Sequence, residues 1–145
     1  MACAGSQLFV APGAALGQPE IKLSVFAPAA SCLLPERVAL HQAEDMLYSG
    51  RSVTGEEAGR MGLANVVADD PSAAAVAYAE QHLLPHSAST LRFAMQAARE
   101  ESVLRIKAKI ARVETLYLSG LMATHDAVEG LNAFIEKRPA KWENR

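Results

Sequence analysis

The chain has 145 residues, half of them hydrophobic, which is enough for one domain with a core of its own. Its net charge of −2, with cations interleaved among acids as in Arg99-Glu100-Glu101 and Arg105-Ile106-Lys107-Ala108-Lys109, marks solvated helix faces and argues against a nucleic-acid partner. Two cysteines, Cys3 and Cys32, have neither metal-ligand spacing nor the density of a disulfide scaffold, and they fit a reducing cytoplasm.

Residues 1–19 carry no charge. The stretch lacks a basic leader and is interrupted by Pro12, Gly13 and Gly17, so it suits neither a signal peptide nor a membrane span. It reads as an internal strand and loop built to be covered by residues outside this chain, with short strands over 7–10 and 14–16. Pro19 suits the first turn of a short helix, where its missing N–H would go unpaired anyway. Pro35 opens a longer helix over 35–48 with Val38, Leu40, Ala43, Met46 and Leu47 on its apolar face and Gly50 in the C-terminal capping position. Thr54 and Glu57 have capping-box spacing before a short helix that Gly62 stops.

A short strand over 64–68 is followed by the turn Asp69-Asp70-Pro71-Ser72 and an alanine-rich helix ending near Pro85. The longest helix covers 89–118, with Leu91, Met95, Ala98, Val103, Ile106, Ile110, Val113 and Tyr117 recurring at three- and four-residue steps on one face. Its heptad-like part lasts barely two heptads, which favours packing within the protein or against a sister subunit over a coiled coil. A last helix begins around Asp126, where Asp126 and Glu129 have capping-box spacing, and turns Val128, Leu131, Phe134 and Ile135 inward. The fold class is mainly α with a few short β-strands. His82 and His86 are four apart, but Pro85 breaks the helix that would align them, and no metal site is expected.

Glu20 is the carboxylate best placed for chemistry. A glutamate in a first helical turn is also favoured by the helix dipole alone, so ordinary capping stands beside catalysis as a reading. The segment Val25, Phe26, Pro28, Ala29, Ala30 reads equally as a core helix packed through small residues or as the wall of an apolar pocket. Lys137 and Lys141, with Phe134 and Trp142 near them, read as a solvated helix end or as an anion-facing cluster.

Five ordered pieces decide among these: Gly17-Gln18-Pro19-Glu20, Tyr48-Ser49-Gly50-Arg51, Thr54-Gly55-Glu56-Glu57-Ala58, Gly62-Leu63-Ala64-Asn65, and Glu129-Gly130-Leu131-Asn132-Ala133-Phe134-Ile135-Glu136-Lys137-Arg138. Together they resemble the crotonase (enoyl-CoA hydratase/isomerase) superfamily over nearly the whole chain. Within it, Phe26, Pro28-Ala29-Ala30-Ser31, Glu114-Thr115-Leu116-Tyr117 and the ending Pro139-Ala140-Lys141-Trp142 are most similar to the cyclohexa-1,5-diene-1-carbonyl-CoA hydratases of anaerobic aromatic degradation.

The resemblance implies the C-terminal part of a ββα spiral, with residues 1–70 a remnant of the spiral core and 71–145 a helical oligomerisation region that builds trimers, often paired into hexamers. It implies an acyl-CoA thioester as substrate, with coenzyme A entering as part of that substrate and no separate cofactor, a cytoplasmic setting, and no nucleic-acid or membrane partner. Glu20 matches the second of the family's two catalytic glutamates. Val25, Phe26, Pro28, Ala29 and Ala30 match the acyl pocket, and Phe134, Lys137 and Lys141 match the CoA-facing cluster. The family's Gly-Gly-Gly-x-Glu segment, source of the oxyanion-hole amides and the first glutamate, has no counterpart here, so the chain is expected to be a truncated half that is inactive on its own. Pro28-Ala29-Ala30-Ser31 stands where simple hydratases have Pro-Gly-Ala-Gly-Gly, which points away from a straight-chain substrate. Two other functions remain open at this point: a catalytically inactive oligomerisation module, and another crotonase-type activity such as isomerisation or ring hydrolysis.

Overall fold

The computed structural model describes residues 2–145. Small residues dictate its compact first half. Strand β1 (Phe9–Val10) pairs in parallel with β4 (Val66–Val67), and β2 (Ala15–Gly17) pairs antiparallel with β3 (Ser52–Thr54), so the uncharged start of the chain is woven into two short ladders. Between them lie a 3₁₀ turn (Pro19–Leu23), helix α1 (Pro28–Leu33), a second 3₁₀ turn (Leu34–Glu36), and helix α2 (Leu40–Ser49). Helix α3 (Gly55–Arg60) follows β3, and its Thr54 cap accepts a 3.1 Å hydrogen bond from the Glu57 N–H, as the spacing predicts. Val10, Ala27, Ala30, Leu34, Ala43, Met46, Val53, Ala58, Leu63 and Ala64 close the core.

The expected helix over 35–48 is two elements. Pro28 sits in the first turn of α1, Pro35 sits in the first turn of the separate 3₁₀ segment, and α2 begins only at Leu40. Pro35 has no N–H to continue a helical ladder, so the chain re-initiates after it. Leu40, expected inward, is 60 % exposed, because the helix starts there and its first turn overhangs the core. Gly50 caps α2 at φ +63° and donates its N–H to the Met46 carbonyl, where a side chain would be strained.

The second half is built differently. Helix α4 (Pro71–His82) is capped by Asp70, which accepts from the Ala73 N–H at 2.9 Å. Helix α5 (Ala88–Thr115) stops three residues before the expected end and passes into a π-helical turn (Leu116–Gly120) and a 3₁₀ turn (Leu121–Ala123). Neither α4 nor α5 has a buried residue. On the expected apolar face, Val103, Ile106, Ile110 and Val113 are half-buried while Met95 and Ala98 are exposed. Polar contacts fasten α5: Arg105 forks onto Glu36 at 2.7 and 3.0 Å, Arg99 donates to the Ala4 carbonyl, and Lys109 donates to the Ser31 carbonyl at 2.7 Å.

Helix α6 (His125–Glu136) corrects two expectations. Its cap is Thr124, which accepts from the Ala127 N–H, rather than Asp126. The face turned inward is Ala127, Gly130 and Ala133, whereas Val128, Phe134 and Ile135 are exposed and Leu131 is half-buried. The reason is proximity: a Cβ on Gly130 would run into the Leu23 carbonyl, so only small residues let α6 settle on the 3₁₀ turn below it. No helix among the described residues is long and apolar enough to cross a membrane.

Candidate active site

The 3₁₀ turn that carries Glu20 is short and abruptly ended. Ser24 adopts the left-handed conformation at φ +58°, and its N–H closes the turn onto the Glu20 and Ile21 carbonyls. A non-glycine residue held there is uncommon and marks a locally over-determined backbone. On this turn the Glu20 Oε2 is buried and has no hydrogen-bond partner among the described residues. A carboxylate serving only to cap its turn would be expected to engage nearby N–H groups. Burying one of its oxygens unpaired costs stability, so the atom calls for a partner that the described fold does not supply.

The segment that follows divides between two environments. Val25 and Ala30 are buried, Ala30 within the core cluster. Phe26 and Pro28 are half-buried and Ala29 is exposed, so this part of the predicted pocket wall offers surface. Phe26 meets Tyr117 edge to face, with ring centroids 5.3 Å apart and planes at 79°. Tyr117 lies on the π-helical turn, a local widening that in proteins is often found at functional sites. Sequence reasoning placed Tyr117 on a helix face but not against Phe26. The one local signal was Ser119-Gly120, which weakens the helix just beyond it.

The CoA-facing candidates separate. Phe134 is 64 % exposed and lines a groove of about 270 Å³ with Lys22, Leu23, Gly130, Arg138 and Trp142, so it stands beside the end of the Glu20 turn. Lys137 ends α6 in the left-handed conformation at φ +54°, and Lys141 lies in the exposed tail. Neither lysine lines that groove. What orders the tail is a pair of carboxylates on α6. Glu129 accepts from Arg138 and from the Lys141 N–H at 2.9 Å, and Asp126 accepts from the Glu143 and Asn144 N–H groups at 2.8 and 2.7 Å. The Arg138 guanidinium, followed by the Lys141 amide, holds the Glu129 carboxyl down to about 2, and the Glu143 amide leads the lowering of Asp126.

A larger cavity than that groove lies elsewhere. At about 700 Å³ it opens between the start of the chain and helices α4 and α5, lined by Phe9, Arg37, Tyr78, Met95, Arg99 and Ile106 among others, and it contains none of the predicted site residues. No group of three or more potential metal ligands occurs among the described residues. Cys32 is buried behind α5, and burial pushes its thiol up against the opposing pull of Lys109 and Arg112.

A family model described as enoyl-CoA hydratase/isomerase matches residues 1–145. The chain belongs to the enoyl-CoA hydratase/isomerase family. It is 61 % identical over 145 residues to a cyclohexa-1,5-dienecarbonyl-CoA hydratase of Thauera aromatica, covering all of this chain and 56 % of that one. It is 33 % identical over 136 residues to a 2,3-dehydroadipyl-CoA hydratase of Escherichia coli, covering 91 % of this chain and 52 % of the relative. A solved carnitinyl-CoA dehydratase from Mycobacterium avium superposes with a TM-score of 0.87 at 25 % identity, over 99 % of this chain and 58 % of that one. The mainly helical enoyl-CoA hydratase/isomerase fold with few short strands, expected from the motifs, is therefore the fold observed. The chain spans about half the length of the curated relatives it matches.

Proposed function

We propose that these residues carry one catalytic carboxylate and one pocket wall of a hydratase that adds water to cyclohexa-1,5-diene-1-carbonyl-CoA. The observation that carries the proposal is the buried, unpartnered Oε2 of Glu20 on a turn leading directly to the Phe26 and Tyr117 rings. The identity to the Thauera hydratase supports the cyclic substrate.

Hydration of a double bond conjugated to a thioester needs a carboxylate to orient a water and take its proton, and an acid to return a proton to carbon. Glu20 supplies one of these carboxylates. Negative charge then collects on the thioester oxygen as the enolate forms, and preorganised N–H donors that meet it contribute the larger part of the acceleration. In this proposal those donors and the family's first glutamate come from the Gly-Gly-Gly-x-Glu segment of the family pattern. The rings of Phe26 and Tyr117 give the cyclic acyl group a flat apolar surface, and Phe134 with the basic tail faces the CoA moiety. The exposed side chains of Leu116, Leu118 and Ile135 are covered by sister subunits in a trimer or hexamer.

The test follows the loss of diene absorbance when the protein, combined with a chain that supplies the Gly-Gly-Gly-x-Glu segment, is mixed with cyclohexa-1,5-diene-1-carbonyl-CoA, with crotonyl-CoA assayed in parallel. Preference for the cyclic ester, with Glu20→Gln slower by about 10²–10⁴-fold, is the expected result. Equal or faster turnover of crotonyl-CoA overturns the substrate assignment. No turnover of either ester favours a non-catalytic assembly module.

A further inference from the structure

The turn bearing Glu20 is gripped from two sides by glycines that come from distant parts of the chain. On one side stands Gly50 at the end of α2: a Cβ there would lie 2.6 Å from Ile21 Cγ2 and 3.4 Å from the Gln18 carbonyl oxygen. On the other stands Gly130 in α6, where a Cβ would overlap the Leu23 carbonyl oxygen and lie 2.8 Å from its carbon. The first obstacle is the end of a side chain. The second is backbone, which cannot swing aside without moving the turn itself.

Gly130 is otherwise an expensive choice, because glycine in a helix interior is unfavourable relative to alanine. Its neighbours on the inward face, Ala127 and Ala133, are alanines, so a small side chain fits that face everywhere except over Leu23. The turn has little slack elsewhere: Ser24 is already left-handed, and the Ser24 and Val25 N–H groups are both spent on its carbonyls. A push at Leu23 is therefore passed back along the turn toward Glu20.

We infer that Gly130 is a positioning residue, setting the location of the Glu20 carboxylate by letting α6 close on the backbone of the catalytic turn, an inference that rests on Glu20 acting as proposed above. It touches no substrate. Misplacing a reacting group by about 1 Å costs on the order of a hundredfold in rate, so a single methyl group at this contact is enough to register.

The experiment compares the wild-type protein with Gly130→Ala and with Ala127→Gly, which loosens the same helix without adding an atom against Leu23. Turnover of the dienoyl-CoA is expected to show kcat about ten- to a hundredfold lower in Gly130→Ala with KM nearly unchanged, while Ala127→Gly keeps the wild-type kcat per folded molecule. A second readout needs no substrate: the Glu20 carboxyl ¹³C resonance, assigned through its loss in Glu20→Gln, moves in Gly130→Ala and stays in place in Ala127→Gly. A moved resonance with an inactive wild type would sink the hydratase proposal and keep the positioning one. An unmoved resonance, or a kcat that falls only with the folded fraction, overturns the positioning role. Where Gly130→Ala does not fold, the pair Gly130→Ala with Ser24→Gly takes its place: glycine at 24 removes the Cβ that a Gly130 Cβ would meet at 3.0 Å and suits the left-handed φ of +58°, while the Leu23 carbonyl still stands in the way. A Glu20 resonance left at its wild-type position in that pair likewise overturns the inference.

Discussion

Residues 2–67 and helices α4 and α5 are two ways of building with the same amino acids. The first region hides Leu34, Met46, Val53 and Leu63 almost completely in a core shared with Ala27, Ala30, Ala43, Ala58 and Ala64. The second hides no side chain fully, leaves Phe93 71 % exposed, and is fastened through Arg99, Arg105 and Lys109. Apolar burial is strong, whereas an exposed ion pair such as Arg105–Glu36 is weak and screened by salt. The region holding Glu20 therefore has a rigid seat, and the long helix beside it is a surface that carries its apolar residues outward.

Four measurements break or sharpen that contrast. Leu63→Ala removes a side chain that is 1 % exposed and is expected to destabilise the protein by about 2–5 kcal/mol in chemical denaturation. A loss below about 1 kcal/mol would mean the first region is not the rigid one. Thr124→Ala, which deletes the cap of α6, is expected to cost about 1 kcal/mol by the same measurement. Phe93→Ala on α5 is expected to stay within about 0.5 kcal/mol, while a concentration-dependent drop in thermal midpoint would show that another copy covers the ring.

The smallest effect is local and depends on pH. Glu129 is held at about 2 against an ordinary 4.5, so its folded-state value is depressed. Its contribution is present above about 4.5 and is lost as pH falls toward about 2. Trp142, the single tryptophan, sits in the tail that Glu129 anchors through Lys141. Its fluorescence is expected to change across that window before the core unfolds, and Glu129→Gln is expected to abolish the step.

Local chemistry was legible in the sequence and reciprocal chemistry was not. Gly50 and the Thr54 to Glu57 pair announce themselves because both partners lie within one turn. Asp126 and Glu129 show the same spacing, yet their oxygens are taken by the Arg138 guanidinium and by amides twelve to eighteen residues away, and a nearby threonine does the capping. Hydrophobic periodicity likewise selected Val128, Leu131, Phe134 and Ile135 for the inside of α6, since it weighs side-chain size. Packing there was decided by how closely a backbone must approach Leu23, and nothing within α6 records that distance. Of the candidate site, the ordered motifs pointed to Glu20, while its unpaired oxygen and the meeting of Phe26 with Tyr117 exist only once the chain has folded.

The thiol sealed between α1 and α5 makes the protein its own clock. Cys32, 2 % exposed and with its thiol pushed up, is out of reach of an alkylating reagent until the seam between those helices parts, while Cys3 stays half-open as a reference. The lag between modification of the two sulfurs counts how often the long helix lifts off, and where opening is fast and reversible it converts into the free energy of that excursion.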